Sequence, residues 1–377
     1  MKDYEIRNKY FDNLFNTPNL RWMGQNTNHI QLPESVVGAM IESIRRDEFR
    51  AYAPPLGFEE LRAGIIEDLN LPGHVAMVTD GGVEALYHVC HTFLKAGDHF
   101  VTTDPGWKWP PIFAAALGAK VSEIPIYGAE HGYHLSAQQL ESAVTGATRL
   151  IYLVDPNNPL GTCVPANELM QIAEIARRNN AILIHDCTYR HFADNHTLAA
   201  QFYPEGTLTT YSFSKWLGLA GLRIGAVIGD PSLIEKLAAA PPNNLGSNVV
   251  SQRAAIAGLK SKSEWFPTAQ ALQRRNQAKI KETTDRLPGF HIPVYPSNGN
   301  FLVIECIEAN VFPEALVAAM QEHQILIRQG SYHTKTFGSR FIKVSTTVPA
   351  AWADEFCSLL PGIVERVRGK NEQVQLF

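Results

Sequence analysis

The fold is decided by residues Tyr211–Gly225, which read YSFSKWLGLAGLRIG. Lys215 follows Ser214 directly, and Arg223 comes eight positions later. A lysine amine forms a Schiff base with an aldehyde, while hydroxyl and guanidinium groups bind phosphate. The stretch therefore predicts a site for an aldehyde cofactor that carries a phosphate.

Short β-rich runs alternate with helical runs between about residues 75 and 230. Strands are predicted at 75–79, 99–103, 150–154, 181–185 and 208–211, and helices at 83–94 and 165–179. This alternation is typical of an α/β fold with a mostly parallel sheet covered by helices. Ligands bind outside the carboxyl ends of such strands. Because Asp155, Asp186 and the segment of Lys215 all fall at those ends, we expect them to share one site.

Three regions are predicted along the chain. Residues 1–35 precede the first clear domain and form an N-terminal arm. Residues 36–287 form the large domain, which closes with an interdomain helix that starts near residue 246 and is interrupted near Pro267. Residues 288–377 form a smaller α+β domain, with strands at 300–304, 325–328 and 341–345 and a helix at 312–323.

Composition narrows the class of protein. The 377 residues are 45% hydrophobic and 19% charged with a net charge of −4, which indicates a soluble globular protein without a nucleic-acid footprint. No apolar run approaches the roughly 20 residues of a membrane span, and the charged N-terminus lacks a signal core, so a cytoplasmic location is expected. The five scattered cysteines indicate reduced thiols. No metal site is expected, since His88, Cys90 and His91 lie on a predicted helix without further ligands.

Several other residues suit a phosphorylated pyridine ring. Gly82 and Val83 open a helix whose backbone N–H groups favour a phosphate, although a plain strand-to-helix turn explains them equally well. Trp107 can stack on a planar ring or simply pack in the core. Asp186 ends a buried strand and needs a partner, for which a protonated pyridine nitrogen is suited. Asn158 and Tyr189 can donate to a ring hydroxyl.

Three segments carry a family resemblance. Asp155–Gly161 (DPNNPLG) resembles the Asn-Pro-Thr-Gly region of class I/II aminotransferases, with Leu160 in place of the usual threonine. Asp186–Tyr189 (DCTY) resembles their Asp-x-x-Tyr element, and Ser212–Gly225 resembles their lysine segment. The order and spacing match over nearly the whole chain. The resemblance implies the fold type I architecture of pyridoxal 5′-phosphate enzymes, with a large domain and a smaller α+β domain.

The resemblance also implies a role for each matching residue. Lys215 is implied as the Schiff-base lysine and proton shuttle, Asp186 as the partner of the pyridine nitrogen, and Asn158 and Tyr189 as partners of the ring oxygen. Trp107 matches the position that stacks on the ring. The phosphate cradle is implied to consist of Gly82, Val83 (by its backbone), Ser212, Ser214 and Arg223, with Tyr52 reaching in from a second subunit. A homodimer with shared active sites follows.

Two departures from the family concern the substrate. The family has an arginine on a late strand that grips the substrate carboxylate, and Lys343 occupies that position here. A lysine does not reproduce the planar fork of arginine. Three alternatives remain for binding the carboxylate: Lys343 as a point charge, Arg340 or Arg328. The loop 26–29 (NTNH) resembles the Asn-x-Asn-Pro loop of histidinol-phosphate-type members. Asn28 and His29 are therefore expected beside the substrate, with a hydrogen-bonded loop histidine as the alternative for His29.

The resemblance predicts a pyridoxal-phosphate enzyme that acts on a free amino acid by removing its Cα proton. The favoured activity is that of an aminotransferase. Two faint matches, at Ile6–Phe11 and Pro72–Val75, resemble capreomycidine synthase. They keep open an elimination and cyclisation of a hydroxylated arginine-type substrate, since fold does not determine reaction. A regulatory protein on this fold is a remote alternative. The negative net charge and the absence of a helix-turn-helix pattern before the fold disfavour it.

Overall fold

The structure is a computed structural model that describes residues 3–371, so residues 1–2 and 372–377 of the predicted terminal regions lie outside it. Its strands are β1 (Arg21–Trp22), β2 (Val75–Thr79), β3 (His99–Asp104), β4 (Lys120–Pro125), β5 (Thr148–Val154), β6 (Ile182–Asp186), β7 (Thr207–Ser212), β8 (Gly225–Gly229), β9 (Phe301–Glu305), β10 (Ile325–Leu326), β11 (Arg328–Gln329) and β12 (Phe341–Ser345). Its helices are α1 (Asp3–Phe15), α2 (Glu34–Arg45), α3 (Glu59–Leu69), α4 (Gly82–Phe93), α5 (Trp109–Ala116), α6 (Ala137–Ala143), α7 (Ala166–Arg178), α8 (Pro231–Ala238), α9 (Val249–Thr284), α10 (Pro313–Glu322) and α11 (Ala350–Val367).

A seven-stranded sheet forms the centre of the fold. Its strand order is β2-β8-β7-β6-β5-β3-β4, and β8 runs antiparallel to both of its neighbours while β7, β6, β5, β3 and β4 run parallel. Every residue of β7 and β8 is buried, as expected for strands with helices on both faces. The predicted α/β class with a mostly parallel sheet is confirmed. The carboxyl ends of β5, β6 and β7 lie side by side and open towards one site.

The long helix α9 corrects one prediction. A break was expected near Pro267, but the helix continues unbroken through it for 36 residues. Proline in a helix interior costs about 3 kcal/mol through its missing N–H and its steric clash. Packing on both sides of the proline offsets that cost. Before it Ala254 and Ala255 are fully buried, and after it Gln273 and Asn276 bind backbone carbonyls near the second sheet.

A second sheet is formed by β11, β12 and β9 in antiparallel order. The single strand predicted at 325–328 is wrong, because β10 pairs with β1 and only β11 joins this sheet. Arg328 and Lys343 are direct partners across β11 and β12, which brings both cations to the same place. The pairing of Arg21 with Ile325 attaches the N-terminal segment to this part of the molecule. Among the described helices, none combines the length and the apolar character needed to cross a bilayer.

Candidate active site

A cavity of about 530 Å³ lies where the carboxyl ends of β5, β6 and β7 meet the first residue of α4, a size typical of small-molecule sites. Most of the residues predicted from the sequence line it, namely Gly82, Val83, Trp107, Asn158, Asp186, Tyr189, Ser212, Ser214, Lys215, Arg223 and Lys343. Phe11 from α1 and Arg328 from β11 are among the further residues of the wall. The cavity is therefore bounded by the central sheet, the second sheet and the N-terminal segment.

One end of the cavity is built for an anion. The helix α4 begins there, so its free N–H groups and the positive end of its dipole face the cavity. Gly81 holds a φ of 87°, and a Cβ at this position would collide with the guanidinium of Arg223. That guanidinium donates to the carbonyls of Ala220 at 2.8 Å and Asp80 at 3.3 Å. Ser212 and Ser214 add hydroxyl groups to the same wall.

Lys215 lines the same cavity as Arg223 and Asp186, and the charges of both residues act on its amine. Its Nζ donates to the carbonyl of Gln25 at 3.0 Å. Burial and the nearby charge of Arg223 lower the pKa of the amine to about 8, while Asp186 acts in the opposite direction. An amine with this pKa is partly neutral near physiological pH. It can therefore act as a nucleophile and as a base.

The carboxylate of Asp186 is held by four hydrogen bonds. The hydroxyl of Tyr152 donates to Oδ2 at 2.8 Å. Oδ1 accepts the backbone N–H of Thr188 at 3.1 Å and the hydroxyls of Thr188 and Thr210 at 2.6 and 2.8 Å. Among the described residues, Oδ2 accepts only the Tyr152 hydroxyl, so it is the oxygen that can take a further donor. This donor set fixes the carboxylate at the floor of the cavity, where it can accept from a cationic ring nitrogen.

A chain of polar contacts lies on the opposite wall. Asn26 donates through Nδ2 to the hydroxyl of Tyr189 at 2.9 Å and to Oδ1 of Asn158 at 3.4 Å. Lys343 donates to the same Oδ1 at 3.4 Å. Burial, together with the charges of Arg328 and Lys215, lowers the pKa of Lys343 well below its usual value. The buried amine of Lys343 therefore lies beside Asn158 with its charged form disfavoured, and a bound anionic group would favour that charged form.

Three predicted substrate residues lie outside the cavity. Arg340 ends a short 3₁₀ turn just before β12, where it binds Glu305 at 3.4 Å and lies over the ring of Tyr127. Asn28 donates through Nδ2 to the carbonyl of Trp216, and its Oδ1 accepts the N–H of Ile30. His29 binds the hydroxyl of Thr27 at 2.7 Å and packs on Trp352, which corresponds to the loop-histidine alternative. The structure therefore does not bring these three side chains to the cavity.

Asp155 and Tyr52 are also not among the residues that line the cavity. Asp155 does not share the cavity, because its carboxylate accepts the N–H of Val164 at 2.9 Å and contacts His185 and His196 at 3.2 Å each. Those histidines and Cys187 place potential metal-ligand atoms within 4.8 Å of one another. Both ring nitrogens of His185 are already hydrogen-bonded, however, one to Asp155 and the other to the N–H of Ala199. Tyr52 is 80% exposed on this subunit, so its predicted role across an interface stays a prediction.

Sequence reasoning missed several residues that complete the site. They are Asn26, Tyr152, Thr188, Thr210 and Tyr332. Asn26 belongs to the loop quoted for its family resemblance, and Thr188 lies two residues after Asp186, so both were within reach. No local pattern points to Tyr152 or Thr210, because their hydroxyls reach Asp186 only through the pairing of neighbouring strands.

Comparison with known proteins gives a consistent result. The sequence model of one family, described as aminotransferase class I and II, matches residues 19–360. Histidinol-phosphate aminotransferase 1 of Cupriavidus pinatubonensis is 27% identical over 335 residues, covering 87% of this chain and 84% of that protein. Histidinol-phosphate aminotransferase of Pyrococcus furiosus is 25% identical, covering 92% and 93%. The solved N-succinyldiaminopimelate aminotransferase from Mycobacterium tuberculosis superposes with a TM-score of 0.84 at 22% identity, covering 94% and 96%.

Proposed function

Since this chain belongs to the class I and II aminotransferases, we propose that it binds pyridoxal 5′-phosphate and transfers the amino group of a free amino acid. The observation that carries the proposal is that Lys215 lines one cavity together with the anion-binding end at Arg223 and the carboxylate of Asp186. When bound, the cofactor supplies an aldehyde for the lysine and a ring that withdraws electrons from the Cα bonds of the substrate.

The residues of the cavity fit this group part by part. The N-terminus of α4, Ser212, Ser214 and Arg223 would hold the phosphate, with Gly82 and Val83 contributing backbone N–H groups. Asp186 would accept from the pyridine nitrogen and keep it protonated. Asn158 and Tyr189 would donate to the ring oxygen, and Trp107 would cover the ring face.

The substrate carboxylate is assigned to Lys343 and Arg328 together. They are paired across β11 and β12, both are more than nine-tenths buried, and both line the cavity. Lys215 would remove the Cα proton and return it, since its amine is basic and lies inside the cavity. Arg328 disfavours the cyclisation alternative, because its charge would repel the cationic side chain of an arginine-type substrate.

A homodimer in a reducing compartment belongs to the same proposal. Tyr52 is exposed, and α2 presents the apolar side chains of Val37, Ile41 and Ile44 to solvent, each more than 40% exposed. These three lie at helical spacing on one face, as expected for a helix that is covered by another subunit. All five cysteines are free thiols, which fits the cytoplasm.

Replacing Lys215 by alanine tests the function. The variant should remain folded but lose turnover and the absorbance of the lysine-bound cofactor. Lys236→Ala, at an exposed position of α8, serves as the matched control and should leave both unchanged. Turnover should be followed with a series of amino acids and keto acids, with identification of the products.

Three results would contradict the proposal. Undiminished turnover in Lys215→Ala would remove the assigned role of the lysine. A wild-type protein that binds no pyridoxal 5′-phosphate would remove the cofactor. A product that retains the α-amino group of the substrate would replace amino transfer by elimination or cyclisation.

A further inference from the structure

Beyond the cofactor contacts proposed above, and resting on them, we infer that Asn26 is a positioning residue that makes both Tyr189 and Asn158 hydrogen-bond donors toward the ring oxygen. The amide of Asn26 touches both residues, at 2.9 Å from the hydroxyl of Tyr189 and 3.4 Å from Oδ1 of Asn158. All three side chains are at least nine-tenths buried, so water does not compete strongly for these bonds.

The backbone of Asn26 is fixed from the second sheet. Its N–H donates to the hydroxyl of Ser345 at 2.9 Å, and its carbonyl accepts the amide of Asn300 at 2.9 Å. Its φ of 55° lies in the left-handed region, which asparagine tolerates better than most residues. The preceding carbonyl, that of Gln25, accepts the Nζ of Lys215. The loop therefore aims the Asn26 amide from a defined position beside the reacting lysine.

The direction of the bonds follows from the donors. Lys343 donates its amine to Oδ1 of Asn158, so this oxygen is an acceptor and the Nδ2 of Asn158 remains for the cavity. Asn26 meets the same oxygen with its own Nδ2, and the same nitrogen donates to the hydroxyl oxygen of Tyr189. Burial raises the pKa of Tyr189, so the hydroxyl keeps its proton. With its oxygen occupied by Asn26, Tyr189 is left to donate that proton elsewhere, into the cavity.

The chemical consequence concerns the charge on the ring oxygen. Two donors stabilise a negative ring oxygen, which lowers the affinity of the lysine-bound imine for its proton. Reversing one of these bonds should therefore raise the pH at which the imine loses its proton. This effect reaches the cofactor through Tyr189 and Asn158, so Asn26 needs no contact with the substrate.

Asn26→Asp is the variant that tests this inference. Aspartate keeps the shape and the left-handed backbone but replaces the donor by an acceptor, so the Tyr189 hydroxyl turns toward it. In a pH titration of holoenzyme absorbance, we expect the midpoint to rise by about one unit, the size of one net hydrogen bond. In a Tyr189→Phe background, the same substitution should move the midpoint by less than half as much, because its partner is absent.

Asn28→Asp is the matched control. It introduces the same charge in the same loop, but Asn28 contacts Trp216 and Ile30 rather than Tyr189 or Asn158, so its midpoint should equal that of the wild type. An unchanged midpoint in Asn26→Asp would overturn the inference, as would equal shifts in the two Asp variants or an equal shift without the Tyr189 hydroxyl. A wild-type protein without a titrating cofactor band would instead refute the proposed function, so the two failures are distinguishable.

Discussion

At the scale of single residues, the amines of Lys215 and Lys343 both line the cavity. Lys215 is held at the carbonyl of Gln25 and has a pKa lowered to about 8. Lys343 donates to Oδ1 of Asn158 and has a pKa well below its usual value. Because burial disfavours the charged form of an amine, each lysine makes the folded protein less stable unless an anion arrives. Binding of an anionic ligand is therefore expected to offset the loss of folding stability that these buried amines cause in the ligand-free protein.

Lys343→Met should separate function from stability. The folded-state pKa of Lys343 is lowered, so the unfolded chain binds more protons, and this lysine costs more stability as the pH falls below about 10.5. Methionine removes that cost, and we expect the melting temperature of the protein without cofactor to rise by about 3 °C at pH 7. The gain should shrink as the pH approaches 10.5. Substrate affinity should fall at least about tenfold, as for a lost bond to a charged group.

Calorimetry of the cofactor-free protein between pH 6 and 10 and a substrate titration of the holoenzyme check both parts. Lys236→Met, at an exposed position, is the control and should change neither quantity. A lower melting temperature in Lys343→Met would show that the amine is well paired in the protein. Equal substrate affinity would remove Lys343 from carboxylate binding.

The pKa of Lys215 predicts a pH dependence for cofactor uptake. Only the neutral amine attacks an aldehyde, and it forms as the pH rises through the folded pKa of about 8. The rate at which the cofactor-free protein binds pyridoxal 5′-phosphate covalently should therefore increase with pH around a midpoint near 8. Stopped-flow absorbance measures this rate. A midpoint near 10.5, the value of an exposed lysine, would show that burial and Arg223 do not act on this amine.

At the scale of elements, one turn shapes the anion-binding end of the cavity. The turn between β2 and α4 passes through Gly81 at a φ of 87°, which brings the backbone N–H groups of α4 next to Arg223. The sequence indicated a glycine-bearing turn before a helix, and that is correct. The contact with Arg223 joins residues 142 positions apart. It appears only once β2 and β8 pair in the sheet.

Gly81→Ala should weaken cofactor binding much more than it weakens the fold. The new methyl group collides with the Arg223 guanidinium and displaces it from the anion-binding end of the cavity. We expect the dissociation constant of pyridoxal 5′-phosphate to rise at least about tenfold, since a bond between charged groups is lost. Equilibrium dialysis with the cofactor measures this.

Gly73→Ala is the control for backbone strain. Gly73 has a φ of 84°, almost that of Gly81, but an added methyl group at this position meets nothing within 4 Å. It should cost about 1 kcal/mol of folding free energy and leave cofactor affinity unchanged. Equal losses of affinity in both variants would assign the effect to strain rather than to Arg223.

At the scale of the whole molecule, the site needs three parts of the chain that are distant in sequence. The central sheet supplies Asp186 and Lys215, the second sheet supplies Arg328 and Lys343, and the N-terminal segment supplies Asn26. A fourth contribution, Tyr52 of a second subunit, is proposed. Activity is therefore expected to depend on assembly as well as on folding.

Ile41→Arg should test that assembly. It places a charge in the middle of the apolar face of α2, and a buried unpaired charge costs several kcal/mol at an interface. We expect a monomer in sedimentation velocity, with turnover reduced at least about tenfold at low protein concentration. Met170→Arg is the control, because Met170 is 50% exposed on α7, away from α2. A folded Ile41→Arg protein that sediments like the wild type would refute this interface.

Local patterns in the sequence determined the class of fold, the strands that end at the site, and about half of the residues that line the cavity. Local patterns suffice for these features because strand periodicity, and the motifs that contain Lys215 and Asp186, each lie within a short segment of sequence. Only the tertiary structure decided that Arg340, Asn28 and His29 lie outside, that α9 passes through Pro267, and that Asn26 touches Tyr189. Those outcomes depend on strand register, side-chain direction and packing between segments hundreds of residues apart. These contacts cannot be predicted from any short segment of sequence, because they form only when the sheets assemble.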